Sequence, residues 1–347
     1  MTHHHGTTAG VCCCLRWNAQ TITVIASLFA LSPVHADDEP DASTPRIESL
    51  IRIKTLGGRQ LWGDLRYFRG YRIQENVVFG QYRLIDPKDV RVIGGTLQEC
   101  EQRLEAIRET EQLDPMSGPA VMLIHGIIRS SKSFSRMTER FEASGYTVIG
   151  FDYPSTRVGI QDSAQYLDSV IRSLDGIEQI NIVVHSMGGL LVRAWLRKHN
   201  DPRIRRMVML GVPNNGAQMA DMFRRNPLFK TIFGPAGQQL ITDPEGLING
   251  LPTPKFDFGI LAGSRGNIRG HNPLIPGDDD GTVSVANTRL PGAADFITVR
   301  AMHSFIMYNE EVIDLTHRFI TEGHFRDDGK KHPIPGPAEK PDPTDTE

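Results

Sequence analysis

The chain has 347 residues, enough for one large domain or two average ones. Hydrophobic residues make up 39%, which supports a packed core and excludes a wholly disordered chain. The formal net charge of -3 gives no global drive toward nucleic acid or an anionic membrane, so neither is expected as a partner on composition.

At the N-terminus, Arg16 precedes the mostly apolar "TITVIASLFALSPV", and "VHA" ends in a small residue at Ala36. That order of charge, apolar core and small residue predicts a secretory signal peptide over residues 1–36. The apolar run is about a dozen residues, short of the roughly 20 that a span requires. Export to a periplasm or the medium is therefore expected, with anchoring by an uncleaved signal as the alternative. Cys12, Cys13 and Cys14 would leave with the signal, so Cys100 would have no partner for an internal disulfide.

Residues 37–115 read as an N-terminal extension. An acidic, turn-rich linker runs to about Pro45. Short alternating bursts such as "LIRIKTL", "NVVFGQYRL" and "DVRVIGG" then predict small antiparallel strands. Arg52, Arg59, Arg66, Arg69, Arg72 and Arg83 fall here. They fit a solvated sheet face, or a patch for anionic lipid headgroups that would give peripheral membrane contact. Thr96 and Glu99 have capping-box spacing, and Leu97, Cys100, Leu104 and Ile107 recur at helical intervals, which makes Cys100 a buried thiol.

From residue 116 to 325 the pattern changes. Continuous apolar runs ("AVMLIHG", "YTVIGFDYP", "INIVV", "RRMVMLGVP", "FDFGILAGS", "FITVRAM") alternate with amphipathic helices. This predicts an α/β fold: a mostly parallel, doubly wound sheet covered by helices on both faces. The segment from 326 to 347 is charged and rich in proline, and its composition predicts a disordered tail.

Ligands of a doubly wound sheet meet the carboxyl ends of its strands. Ser186 stands at such an end in "INIVVHSMGGLLV", with glycines at 188 and 189 where a helix must pass close to the strand. "HSMGG" resembles the nucleophile elbow of the α/β-hydrolase superfamily, particularly bacterial lipases and esterases, over roughly residues 118–322. It departs from that pattern at Val184, where the first glycine of G-x-S-x-G would stand and where a β-branched residue crowds the turn.

The resemblance implies a chain order of serine, acid, histidine. The base then lies among His199, His271, His303, His317, His324 and His332. His303 is the choice, because it directly follows a predicted strand and opens the loop into the last helix. His185 adjoins the serine, and neighbouring side chains on an extended backbone point apart. Asp280, in "PGDDDGTVSV", is the expected acid, with Asp279 in reserve; the run Asp278–Asp280 could alternatively hold Ca²⁺. The same resemblance assigns the oxyanion hole to the N–H groups of Ile127 and Met187, with His125 shaping the loop. In "LGVPNNGA", Asn214 and Asn215 read as local turn formers.

An insertion from Gly216 to Pro252 carries Met219, Met222, Phe223, Leu228, Phe229, Ile232 and Phe233 at helical spacing. It fits an adaptable acyl pocket or short lid, or equally a helix packed on the sheet. The expected function is a serine ester hydrolase, a lipase or carboxylesterase acting through Ser186, His303 and Asp280 on small-molecule or lipid esters. No cofactor or catalytic metal is expected. An acyltransferase using the same residues, and a non-catalytic binding protein of this fold, stay open.

Overall fold

A computed structural model describes residues 59–336. The signal-like segment, the linker, Arg52, "LIRIKTL" and residues 337–347 lie outside the described residues. The short bursts of the extension fold as an antiparallel meander of β1 (Trp62–Phe68), β2 (Tyr71–Asn76), β3 (Tyr82–Ile85) and β4 (Arg91–Gly95). Helix α1 (Leu97–Thr110) follows, and Thr96 and Glu99 form the expected capping box. Cys100 is fully buried, and burial pushes its thiol pKa up, so it is a packing residue.

The second sheet is parallel. In chain order its elements are β5 (Pro119–Ile124), α2 (Ser135–Glu142), β6 (Thr147–Phe151), α3 (Ile160–Arg172), β7 (Gln179–His185), α4 (Met187–Trp195) and β8 (Ile204–Leu210). Two cap helices, α5 (Gln218–Phe223) and α6 (Pro227–Gln238), precede β9 (Asp257–Ser264). A short α7 (Val285–Thr288), β10 (Asp295–Arg300) and α8 (Glu310–Glu322) complete it. The strand order is β6-β5-β7-β8-β9-β10, with every pairing parallel.

Alternation along the strands feeds two cores. Ala120, Met122, Ile124, Ile182, Val184, Met207 and Met209 face one side and pack with Leu167 of α3 and Leu190 of α4. Val121, Leu123, Val183, Val208 and Leu210 face the other and pack with Met137 and Phe141 of α2 and Phe319 of α8. A period of two on strands buried on both faces is what a helix-covered parallel sheet requires.

The N-terminal strands do not extend the parallel sheet. They form their own sheet, yet Tyr67, Phe68, Ile73 and Leu84 join the same buried cluster as Ile149 and Phe151. A polar joint sits beside that contact. Asp64 N–H donates to the Asp152 carbonyl (2.9 Å), and Asp152 N–H donates back to Asp64 Oδ2 (2.8 Å). Arg72 Nη1 lies 2.7 Å from Asp152 Oδ2, and its other end pairs with Asp89. Of the arginines, Arg72 departs from the solvated-face expectation, while Arg69 stays exposed. Arg72 is buried, Arg66 pairs with Glu101, Arg69 donates to the Asp114 carbonyl, and Arg83 bonds Gln74 and covers the Trp62 ring. A partner fixed 80 residues away is invisible to a local reading.

The described part of the expected tail is ordered, which corrects the sequence reading. Asp295 is fully buried; its carboxylate accepts from Arg326 Nη1, His332 N–H and Phe325 N–H, each at 2.8 Å. Gly292 N–H donates to the Ile334 carbonyl, and Ile334 N–H donates to the Ala293 carbonyl. A buried carboxylate without these partners would be expensive, so charge pairing holds a segment whose composition alone reads as unstructured. Removing one partner of such a pair costs roughly 3 kcal/mol. Arg326→Met is accordingly expected to lower the unfolding free energy by about that amount in urea titration; an unchanged midpoint would contradict the docking.

In the joint between the sheets, burial first, and then the Asp152 charge, pushes the Asp64 carboxyl up to about 7. Burial also works to raise Asp152, but Arg72 above all holds it below its ordinary value. Between about pH 4 and pH 7 Asp64 therefore keeps its proton in the folded state where an unfolded aspartate has lost it. Its stabilising contribution is complete below about 4 and fades as pH rises through about 7. Relative to wild type, Asp64→Asn should gain melting temperature between about pH 5 and pH 8. A constant difference across that range would show that Asp64 carries no such load.

Candidate active site

β7 ends at His185, and Ser186 forms the turn into α4 with φ 52° and ψ -126°. A non-glycine residue at positive φ is strained by about 1–3 kcal/mol and persists only where its surroundings impose it. Here Ser186 N–H is bonded to the Leu210 carbonyl (2.9 Å), and Gly189 N–H to the Ser186 carbonyl (3.1 Å). A Cβ at Gly188 would lie 2.7 Å from the Ile124 carbonyl oxygen, so only glycine lets the helix start this close to β5. Val184 remains in register with Ile124 and Met209, its side chain buried in the core under α4. The sharp bend falls at Ser186, two residues later.

Loops from three neighbouring strands converge on the hydroxyl. His303 opens the 3-10 turn after β10, and its Nε2 lies 3.0 Å from Ser186 Oγ. Its Nδ1 lies 2.7 Å from Asp280 Oδ2, in the loop after β9. A carboxylate accepts, so Nδ1 carries the proton and Nε2 is left to accept from the serine. Asp280 Oδ1 accepts from Thr282 N–H (3.0 Å) and Val283 N–H (2.8 Å), and the Asp280 carbonyl from His303 N–H (2.8 Å). Gly211, at φ 56°, floors the site: a Cβ there would lie 3.1 Å from Asp280 Oδ2 and 3.2 Å from His303 Nδ1. All three side chains are nearly buried, with Asp280 1% exposed and Ser186 and His303 6% each.

The last loop returns over His185. Its ring lies 4.8 Å from that of His303, and its Nε2 is 3.0 Å from the His303 carbonyl oxygen. A carbonyl only accepts, so Nε2 carries the proton of a neutral ring. Burial first, and then the neighbouring His303, holds the His185 pKa well below the ordinary histidine value. No signal in a lone "HS" pair reveals this support, because the partner is 118 residues away.

The loop after β5 borders the serine from the other side. A Cβ on Gly126 would lie 3.0 Å from Ser186 Cβ. His125 donates Nδ1–H to the Gly126 carbonyl (2.7 Å), stacks on Tyr153 and receives the Tyr153 hydroxyl on its own carbonyl (2.8 Å). Ile128 N–H is committed to Ser155 Oγ (3.1 Å) and Arg129 N–H to the Gly126 carbonyl (3.3 Å). Ile127 N–H precedes both. Met187 is the first residue of α4, where an N–H has no carbonyl of its own helix to bond. These are the two donors expected from the sequence.

The other candidates lie elsewhere. His199 pairs with Asp168, His271 with the Ser264 carbonyl, His317 with Ser144, and His324 with the Arg326 carbonyl, while His332 N–H is on Asp295. Asp279 turns away, its Oδ1 accepting from Asn272 and Gly281 N–H groups, and Asp278 accepts from Arg265 and Gly266. The three adjacent carboxylates thus serve three different places. Among the described residues, no group of three or more His, Cys, Asp or Glu is arranged to hold a metal ion. Asn214 is more than a turn former: with buried Arg193, which reaches the Leu251 and Pro252 carbonyls, it ties the end of the cap to α4.

In the cap, Phe223, Phe229 and Phe233 stack in sequence, with centroids 6.3 and 4.5 Å apart. α6 approaches the loop after β5, since a Cβ on Gly237 would lie 3.7 Å from Ile127 Cδ1. Met222 and Leu228 are exposed on the same insertion.

Residues 119–230 match a family model described as the alpha/beta hydrolase fold. A stretch of 99 residues is 27% identical to the phospholipase YtpA of Bacillus subtilis (strain 168), covering 26% of this chain and 38% of that protein. Among solved structures, the mature lipase BlEst2 of Bacillus licheniformis aligns at 23% identity and a TM-score of 0.45, over 56% of this chain and 90% of that one. The phospholipase PlaB of Legionella pneumophila aligns at 19% identity and a TM-score of 0.41, over 50% and 46%. The family model matched over residues 119–230, the helix-covered parallel sheet and the strained serine turn after its central strand give this chain the α/β-hydrolase fold.

Proposed function

We propose that the protein is a serine ester hydrolase of the lipase or carboxylesterase kind, with Ser186 as nucleophile, His303 as base and Asp280 as the acid that orients it. The observation that carries this reading is the unbroken hydrogen-bond chain from Asp280 Oδ2 through His303 to Ser186 Oγ, at 2.7 and 3.0 Å. A serine hydroxyl is a weak nucleophile until a positioned base takes its proton. Ser186 Oγ bonds to the ester carbonyl carbon as its proton passes to His303 Nε2, and the carbonyl oxygen becomes an oxyanion. The N–H groups of Ile127 and Met187 would receive it, each worth about 3–4 kcal/mol to the transition state. Collapse breaks the ester C–O bond, and His303 returns the proton to the leaving alcohol. Water, deprotonated by the same imidazole, then releases the acid and restores Ser186.

Support for an apolar acyl group comes from the surroundings of that chain. Met222, Leu228, Ile268, Leu274, Met302 and Phe305 are exposed, and all lie on segments following β8, β9 or β10, the strand ends that carry the site. The Phe223–Phe229–Phe233 stack lies on the same segments, and α6 reaches Ile127. We also propose export, on the order of residues in the N-terminal 36. Among the described residues, no helix is long and apolar enough to cross a membrane.

Ser186→Ala and His303→Ala should each abolish turnover of p-nitrophenyl esters while circular dichroism stays unchanged; retained turnover in either requires another nucleophile or base. Asp280→Asn should lower kcat by about ten-thousand-fold, because an amide N–H facing Nδ1 selects the tautomer that cannot accept from the serine. A loss below tenfold would remove Asp280 from the mechanism. Across a chain-length series, kcat/KM should rise from acetate to octanoate. A maximum at acetate would argue against a lipid-like substrate.

A further inference from the structure

Ile128 has φ 65°, a conformation that a β-branched residue adopts only under constraint. It directly follows the proposed oxyanion donor Ile127, so whatever holds Ile128 also sets the direction of that donor. The constraint comes from two sides. Arg129 Nη2 bonds the Ser304 carbonyl (2.9 Å), next to His303. On the opposite side the partner belongs to the N-terminal extension. Gln60 is buried; its Nε2 donates to the Arg129 carbonyl (2.9 Å), and its Oε1 accepts from Ser155 Oγ (2.7 Å). Ser155 Oγ in turn accepts Ile128 N–H (3.1 Å). The Gln60 turn is itself anchored, because the Leu61 carbonyl accepts Val77 N–H (2.9 Å) at the β2–β3 hairpin. One amide therefore bonds a carbonyl just after the strained residue and, through one hydroxyl, the N–H of that residue.

Resting on the reading of Ser186 as the acylated residue, we propose that Gln60 is a positioning residue for the oxyanion site: bridging the Arg129 carbonyl and the Ser155 hydroxyl, it fixes the Ile127–Ile128 peptide and so aims the Ile127 N–H at the carbonyl attacked by Ser186. The N-terminal sheet is on this account a working part of the site. A second bond set supports the far end of the loop, where Ser131 N–H meets Asp152 Oδ1 (2.6 Å), the carboxylate that Arg72 of β2 holds.

The test compares wild type with Gln60→Ala, Ser155→Ala and the double variant. Readouts are kcat and KM on p-nitrophenyl butyrate and the Ki of an alkyl trifluoromethyl ketone, whose adduct with serine carries the oxyanion. Misaiming one donor should lower kcat roughly 10- to 100-fold, part of the loss of about 10²–10³ seen when such a donor is deleted. KM should stay within about twofold, Ki for the ketone should rise in step with the loss in kcat/KM, and the double variant should lose little more than either single one. A purely structural glutamine would instead lower the melting temperature and spare kcat and the ketone affinity in the folded fraction. That outcome overturns the proposal, as do additive losses in the double variant. If Gln60→Ala does not fold, Ser155→Ala alone decides by the same kcat and Ki criteria. Should wild type be insensitive to the ketone while Ser186→Ala keeps full turnover, the reading of Ser186 fails, a result distinct from ketone-sensitive wild type with unaffected variants.

Discussion

A carbonyl oxygen and a carboxylate can only accept hydrogen bonds, and that constraint fixes the protons of this site. Asp280 takes the proton on His303 Nδ1, which leaves Nε2 to accept from Ser186. The His303 carbonyl takes the proton on His185 Nε2, so a second, neutral imidazole braces the loop that carries the first. Each of these contacts joins segments far apart in the chain. The site therefore exists only when the ends of β7, β9 and β10 are brought to one edge of the same sheet.

The parallel sheet does this, and small residues decide how closely. Ser186 is held at positive φ by a bond to Leu210 at the end of β8, while glycine at 188 and 211 leaves room for the helix start and for the imidazole with its carboxylate. The antiparallel meander adds a second layer of support. Its contact with β6 is partly apolar and partly a balanced set of buried charges, in which Arg72 answers Asp152 and Asp89 and lies 3.9 Å from Asp64. From that joint and from Gln60, hydrogen bonds run to both ends of the loop that borders the serine.

What the sequence made legible is what local spacing carries. The capping box at Thr96, the alternation of strand and helix, and a serine, an aspartate and a histidine each just after a strand are signals that a few neighbouring residues carry. Whether the crowding at Val184 would forbid the turn was not readable, since it depends on which face the side chain enters. The same holds for Arg72, a surface arginine by composition, which is buried because Asp152 and Asp89 meet it in space. Residues 326–336 read as a tail, and Asp295 draws them onto the body. The contacts of His185 and Gln60 are not legible in the sequence for one reason: their partners lie 118 and 69 residues away, where periodicity is silent.

The central claim is that one hydroxyl is activated at the end of a buried strand. It is tested most directly by treating native protein with a fluorophosphonate and mapping the adduct by peptide mass spectrometry. One equivalent on Ser186, lost when the protein is unfolded before treatment, is the result the account predicts. A folded protein that takes up no label, or takes it up at another residue, would contradict it.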